Sequence, residues 1–211
     1  MTPRDVRGAL GGSRILALPE VAAEVARLDA ALAAGRPALL EIGFDHGRRL
    51  TATAEASPGW TVVGLEVRER RVAEVRAWAE RQGLTNLFAF RLDARAVLAG
   101  AVPEGSLDVL EVLFPTPWPE GKARRRLLAT PEFLEDAARA LKPGGLLHLA
   151  TDVGWYADLM AEALAGAVAR FALSSEALLE TRRPPCAQRS RREWKCEREQ
   201  IPVHRFVALR A

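Results

Sequence analysis

Residues with chemical potential cluster where apolar runs stop. "EIGFDHG" (41–47) ends one such run and carries Gly43 and Gly47; two later runs end on Glu66 and Asp93. Two glycines after a strand permit a tight turn and close approach of a ligand to the backbone. An acidic residue about 20 positions further on can hold the hydroxyl pair of a ribose. Glu66 lies nineteen positions past Gly47. A glycine pair alone is common at strand-to-helix turns, and both acids have an alternative role as caps of the helices that follow. Matched at three run ends, these residues point to a nucleoside site.

A second stretch, "VLFPTPWPEGKARRR" (112–126), runs from apolar residues into a Pro-Thr-Pro-Trp corner and then Lys122, Arg124, Arg125 and Arg126. Pro115 and Pro117 restrict the backbone there. Trp118 is expected to pack beneath the corner in preference to stacking on a base. Cations at the mouth of a pocket suit the phosphates of a docked nucleic acid.

The nucleoside can be narrowed. A dinucleotide prefers the tighter G-x-G-x-x-G loop with little negative charge nearby. Glu41, Asp45, Glu66 and Asp93 place negative charge around this pocket. That suits S-adenosyl-L-methionine, whose sulfonium and ammonium groups are cationic, and implies methyl transfer.

The elements that position these residues alternate in type. "ALLEIG" (38–43), "TVVGLE" (61–66), "LFAFRL" (87–92), "LDVLEVLF" (107–114) and "LLHLAT" (146–151) read as strands. Helical patterns cover 19–34, the stretch to about Ala56, 68–82, 131–145 and the stretch through "YADLMAEAL". Such alternation predicts an α/β fold with a mostly parallel sheet and helices on both faces. From Phe171 the tail reads as a strand, a basic loop and a last strand at 203–210, whose lack of an intervening helix predicts an antiparallel return. Residues 1–37 are expected as an N-terminal helical extension and 38–211 as the main domain.

The 211 residues, 49% hydrophobic and 27% charged, suit one globular domain with a sizeable core. No apolar run reaches the ~18 residues of a membrane span, and the first twenty residues lack signal-peptide order. Cys186 and Cys196 form no CxxC pair and the histidines at 46, 148 and 204 are scattered, so no metal site is expected and a cytoplasmic setting is. His148, inside a strand, reads as a satisfied core residue. The net charge of +3 conceals a separation: residues 122–126 carry +4, residues 182–198 carry +5, and the remainder −6. Concentrated basic charge suits a polyanionic partner.

"EIGF", "GLEV", "LFPTPW" with its basic run, "PGGLLHLATDVGWYADLM" and the tail together resemble the tRNA (guanine-N7)-methyltransferases, in order, from about Leu39 to Leu209. The family's tail has Thr-x-Tyr-Glu-x-Lys and then Pro-x-x-Arg; this chain has "SRREWK" (190–195) and "PVHR" (202–205), and a register on "WKCE" (194–197) is the alternative. The resemblance implies a Rossmann-like class I S-adenosylmethionine-dependent methyltransferase fold, a seven-stranded sheet with an antiparallel last strand, and methylation of guanine N7 in tRNA. It implies that Glu41, Gly43, Gly47, Glu66 and Asp93 line the cofactor site and that Thr151, Asp152, Ser190 and Glu193 hold the guanine. Asp152 and Thr116 fall at catalytic positions, and Lys122, Arg124, Arg125 and Arg126 at a tRNA-binding run.

Departures from the family pattern concern chemistry. Thr116 stands where the family has aspartate, Asp45 where it has a loop glycine, and residues 1–37 show no counterpart of its basic N-terminal segment. These departures leave two alternatives: a paralogue that methylates a ring nitrogen of a small heterocycle, or a non-catalytic RNA-binding relative. A monomer and a homodimer are both compatible with the sequence.

Overall fold

The apolar runs pair side by side because each must bury both of its faces. In the computed structural model, which describes residues 19–118, 127–186 and 188–211, β1 (Ala38–Ile42) and β2 (Thr61–Leu65) are buried throughout. β3 (Leu87–Phe90), β4 (Leu107–Leu113) and β5 (Leu141–Thr151) are buried over most of their length. Near-continuous apolar strands are what a parallel sheet between two helical layers requires. β6 (Phe171–Ser174) and β7 (His204–Arg210) complete a seven-stranded sheet of order β3-β2-β1-β4-β5-β7-β6. β1 to β5 pair in parallel, and β7 runs antiparallel to both β5 and β6.

Alternate residues of each strand serve two cores. Leu40, Ile42, Val63, Leu110, Val112 and Leu147 join one with α1 (Pro19–Leu32), α4 (Ala94–Gly100), α5 (Pro131–Ala140) and α6 (Gly154–Gly166). Leu39, Val62, Val109 and Leu146 join the other with α2 (Arg48–Ala56) and α3 (Glu69–Arg81). α1 belongs to the first core through Leu28, which is fully buried. Residues 1–18 and the run Lys122, Arg124, Arg125 and Arg126 lie outside the described residues.

Two local expectations need correction. The helix expected to reach 145 stops at Ala140, and β5 starts at Leu141. Pro143 keeps Lys142 out of helical geometry, and Gly144 turns the chain at φ 73°. The tail was expected to contain no helix, yet it forms α7 (Leu178–Arg182) and α8 (Arg191–Arg198) before the antiparallel return. Each buries a single residue, Leu179 or Cys196, too narrow a stripe to cross a sheet face, so these helices do not convert the return to a parallel one.

Candidate active site

A cleft of about 780 Å³ opens beyond the carboxyl ends of β1, β2, β3, β4 and β5. This is where an open α/β sheet places its ligands, because the strand-to-helix loops diverge there. Glu41, Gly43, Gly47, Glu66 and Asp93 all line it, as do Thr116, Asp152 and Ser190.

The loop after β1 is shaped by backbone geometry. Gly43 and Gly47 adopt φ 77° and φ 69°, a region in which a Cβ is unfavourable. A Cβ on Gly43 would meet nothing within 4 Å, leaving its backbone open. Gly47 has a different reason to be glycine: a Cβ would fall 2.3 Å from Val75 Cγ2, so its close approach is to α3 and not to a ligand. Asp45, in place of the family's glycine, is held at φ 48° with its carboxylate 2.9 Å from Arg68 Nη2.

Glu66 and Asp93 prove to be equivalent devices. Glu66 Oε1 accepts from the Arg68 backbone N–H at 3.0 Å and from Arg68 Nε at 3.1 Å, and Oε2 accepts from Nη2 at 3.1 Å. Asp93 caps α4, accepting from the Arg95 backbone N–H at 3.0 Å, and its Oδ2 accepts from Arg95 Nη2 at 2.8 Å. Both acids therefore cap the chain after them while lining the cleft. An acid-x-Arg triplet at two neighbouring strand ends, "EVR" and "DAR", is the sequence signal for this pairing.

These pairings change the electrostatic argument. Among the described residues six arginines and five carboxylates line the cleft, so it is not the anionic pocket expected from the acids alone. Recognition of a ligand there rests on local hydrogen bonding. Glu66 retains acceptor capacity, since a carboxylate offers about four lone-pair sites and three are used by Arg68.

Across the cleft, β4 ends at Leu113 and Phe114 adopts φ 52°, strained for a bulky side chain and held by its N–H to the Ala150 carbonyl at 2.7 Å. That turn leads into the proline corner. Thr116 is exposed at the cleft, and Trp118 packs against the larger core, as expected. Tyr156, fully buried, accepts from the Leu128 N–H at 3.0 Å and anchors the returning chain.

The residues expected to hold the acceptor divide in two. Asp152 and Ser190 reach the cleft; Thr151 and Glu193 are not among its lining residues. Thr151 is buried and its Oγ1 accepts from the Val153 N–H at 3.2 Å. Ser190 caps α8, accepting from the Glu193 N–H at 3.1 Å, and the Glu193 carboxylate accepts from Arg205 at 2.7 Å. That pair joins "SRREWK" to "PVHR". Asp152 is held by Arg192 through Nε at 3.0 Å and through Nη2.

On the floor of the cleft lies a buried network that sequence reasoning missed. Glu41, Glu111 and His148 occupy one row across β1, β4 and β5. Arg49, from α2, donates to Glu111 through Nη1 and, at 2.8 Å, through Nη2, and reaches Glu41 at 3.3 Å. His148 Nδ1 lies 3.1 Å from Glu111 Oε1, while its buried Nε2 has no hydrogen-bond partner among the described residues, so only half of its expected satisfaction is met there. Arg183 approaches Glu111 at 3.4 Å from the tail. Burial acts to raise the Glu111 pKa, but Arg49 and His148 outweigh it and hold that carboxyl well below the usual range. Glu41 has weaker compensation, and burial pushes it up to about 7. A carboxylate flanked on both sides by apolar strand residues, Glu41 in "ALLEI" and Glu111 in "VLEVL", was the available signal, since such a charge demands a partner.

A methyltransferase family model matches residues 35–206. A tRNA (guanine-N(7)-)-methyltransferase of Methylococcus capsulatus is 41% identical over 143 residues, 67% of this chain and 62% of that protein. One from Pseudomonas putida is 36% identical over 167 residues, 79% of this chain and 69% of that protein. This chain belongs to the tRNA (guanine-N7)-methyltransferase family. It spans about three-fifths of the length of several of the curated relatives it matches. The solved 16S rRNA (adenine(1408)-N(1))-methyltransferase of Catenulisporales acidiphilia, crystallised with its cosubstrate SAM, shares the fold. It matches with a TM-score of 0.58 over 89% of this chain and 91% of that one, at 18% identity. The architecture is that of class I S-adenosylmethionine-dependent methyltransferases. Within the tRNA (guanine-N7)-methyltransferase family, the arginine pairing of Glu66, Asp93 and Asp152 gives this member's cleft its balanced charge.

Proposed function

We propose that this chain methylates N7 of a guanine in tRNA, with S-adenosyl-L-methionine as the methyl donor. The observation that carries this reading is the juxtaposition in one cleft of Glu66 and Asp93 with Asp152 and Ser190, on a family member. The residues fit the donor: Gly43 offers open backbone, Glu66 has acceptor capacity for a ribose hydroxyl, and Asp93 stands in the loop after the next strand, at the N-cap of α4. Bound there, the donor supplies an electrophilic methyl group on a sulfonium.

The rest is work for the protein's side chains. Guanine N7 attacks with a lone pair and has no proton to lose, so no general base is needed. The site must align the purine and face the positive charge that develops on it. Asp152 supplies that negative charge and can accept from the guanine N1–H and 2-amino group once Arg192 yields it. Thr116 contributes a hydroxyl at the corner, without the charge that an aspartate would add; charge-assisted bonds are roughly twice as strong as neutral ones.

The test is methyl transfer from labelled S-adenosylmethionine to unmodified tRNA, followed by nucleoside analysis. A 7-methylguanosine product is expected. Donor binding without tRNA labelling would overturn the acceptor. Thr116 in place of aspartate favours the second reading, a small nitrogen heterocycle as acceptor. Salt separates the two, since each neutralised phosphate steepens the loss of tRNA affinity with ionic strength.

A further inference from the structure

α8 presents two faces with different tasks. Cys196 is buried, Arg192 holds Asp152, and Glu193 accepts from Arg205; that side ties the helix to the domain. Arg191, Trp194, Lys195 and Arg198 recur at positions i, i+3, i+4 and i+7, and all four are exposed. Trp194 is 54% exposed, and the Arg198 guanidinium carbon lies 4.7 Å from the centre of its ring.

Packing does not account for this tryptophan. A buried indole contributes 150–250 Å² of apolar contact, whereas Trp194 leaves more than half of its surface in water and Trp118 shows what a packed tryptophan looks like here. The row also begins at the cleft, since Arg191 lines it. Over seven positions the row extends roughly 10 Å from the cleft along α8.

We propose that the exposed row Arg191–Trp194–Lys195–Arg198 of α8 is a binding subsite for single-stranded RNA beside the cleft, with Trp194 stacking a base that neighbours the target guanine. This rests on the tRNA reading above. Tryptophan and guanidinium planes offer sequence-tolerant stacking, and the cations suit the phosphates on either side. Glu199 accepts from Arg198 at 2.8 Å and lies 3.7 Å from Lys195, so RNA phosphates would compete with this carboxylate for both cations. A membrane surface is disfavoured, because a helix that lies in a bilayer interface needs a broad apolar face and this row has one apolar residue.

Two measurements test the subsite. In steady-state methylation of unmodified tRNA, Trp194→Ala should raise KM by about 5- to 150-fold, the range for loss of one stacked base. Trp194→Phe should recover part of that loss, and donor affinity should be unchanged in both, which shows that each is folded. A tRNA KM within twofold of the unsubstituted chain in Trp194→Ala overturns the proposal. Fluorescence needs no turnover: the signal present in the unsubstituted chain and absent from Trp194→Phe should be quenched by a short single-stranded RNA. No quenching, or a response to anionic vesicles in place of RNA, overturns it as well. Absence of methyl transfer by the unsubstituted chain would count against the assigned reaction, while the quenching result would still decide the subsite.

Discussion

Arg49 binds Glu111 with both of its terminal guanidinium nitrogens on the floor of the cleft, where both residues are buried. The two side chains come from α2 and β4, so this pair fastens the helix after the glycine loop to the strand that leads into the proline corner. Glu41 stands beside Glu111 in register and shares Arg49. Arg49 is thereby the main counter-charge of two buried carboxylates, and with His148 and Arg183 also facing Glu111 the two are compensated unequally.

Replacing that cation should be costly. Arg49→Leu leaves Glu41 and Glu111 buried without their main counter-charge, which destabilises by about 3–5 kcal/mol. For a chain of this size, that lowers Tm by roughly 6–20 °C. Thermal unfolding followed by circular dichroism at pH 7.5 measures it. A drop below about 2 °C would mean that the pair contributes little to stability.

Glu41 makes stability depend on pH in a direction unusual for a carboxylate. Its folded pKa, about 7, lies above the ordinary 4.5, so between these values the unfolded chain ionises while the folded chain keeps its proton. Stability from this group is lost as pH rises through that window, by about 3 kcal/mol at most. Glu111 acts oppositely: its depressed pKa adds stability above the ordinary value, lost only as strong acid protonates it. Glu41→Gln should therefore raise Tm by several degrees at pH 8 and leave it unchanged near pH 4. Equal shifts at both pH values would show that Glu41 titrates normally.

Arg68 occupies three of the acceptor sites of Glu66 and reaches Asp45 as well. Arg68→Ala removes the two side-chain bonds to Glu66 and a positive charge from that end of the cleft. Calorimetric titration with S-adenosylmethionine should show binding several-fold tighter, on the scale of one ordinary hydrogen bond of about 1 kcal/mol. Weaker binding would assign Arg68 to donor recognition instead.

The acceptor side is tested by a pair of substitutions. Asp152→Ala should cut kcat/KM for tRNA by about 10- to 100-fold, with donor affinity unchanged, as expected for loss of hydrogen bonds to a charged group. Thr116→Asp restores a carboxylate at the corner and should raise turnover several-fold. If Thr116→Asp leaves guanine methylation unchanged, the missing aspartate does not limit this site.

Residues close together in sequence made much of this protein legible. Alternating apolar runs and helical patterns determined an α/β fold, because a strand buried on both faces must be apolar at nearly every position. Gly43, Glu66 and Asp93 were legible as cleft residues because each closes a strand, and parallel strands bring their carboxyl ends to one edge. The family followed from ordered local motifs such as the Phe-Pro-Thr-Pro-Trp corner. Only the tertiary structure decided the partners of the charges. Glu111 is 62 positions from Arg49, and Asp152 is 40 from Arg192. Those distances close only when β4 settles beside β1 and when α8 returns over the cleft. The acids counted without their partners therefore suggested an anionic pocket, whereas folding set an arginine against each acid that lines it. A charge is written in the sequence, but its effect depends on the counter-charge and the burial that packing brings to it.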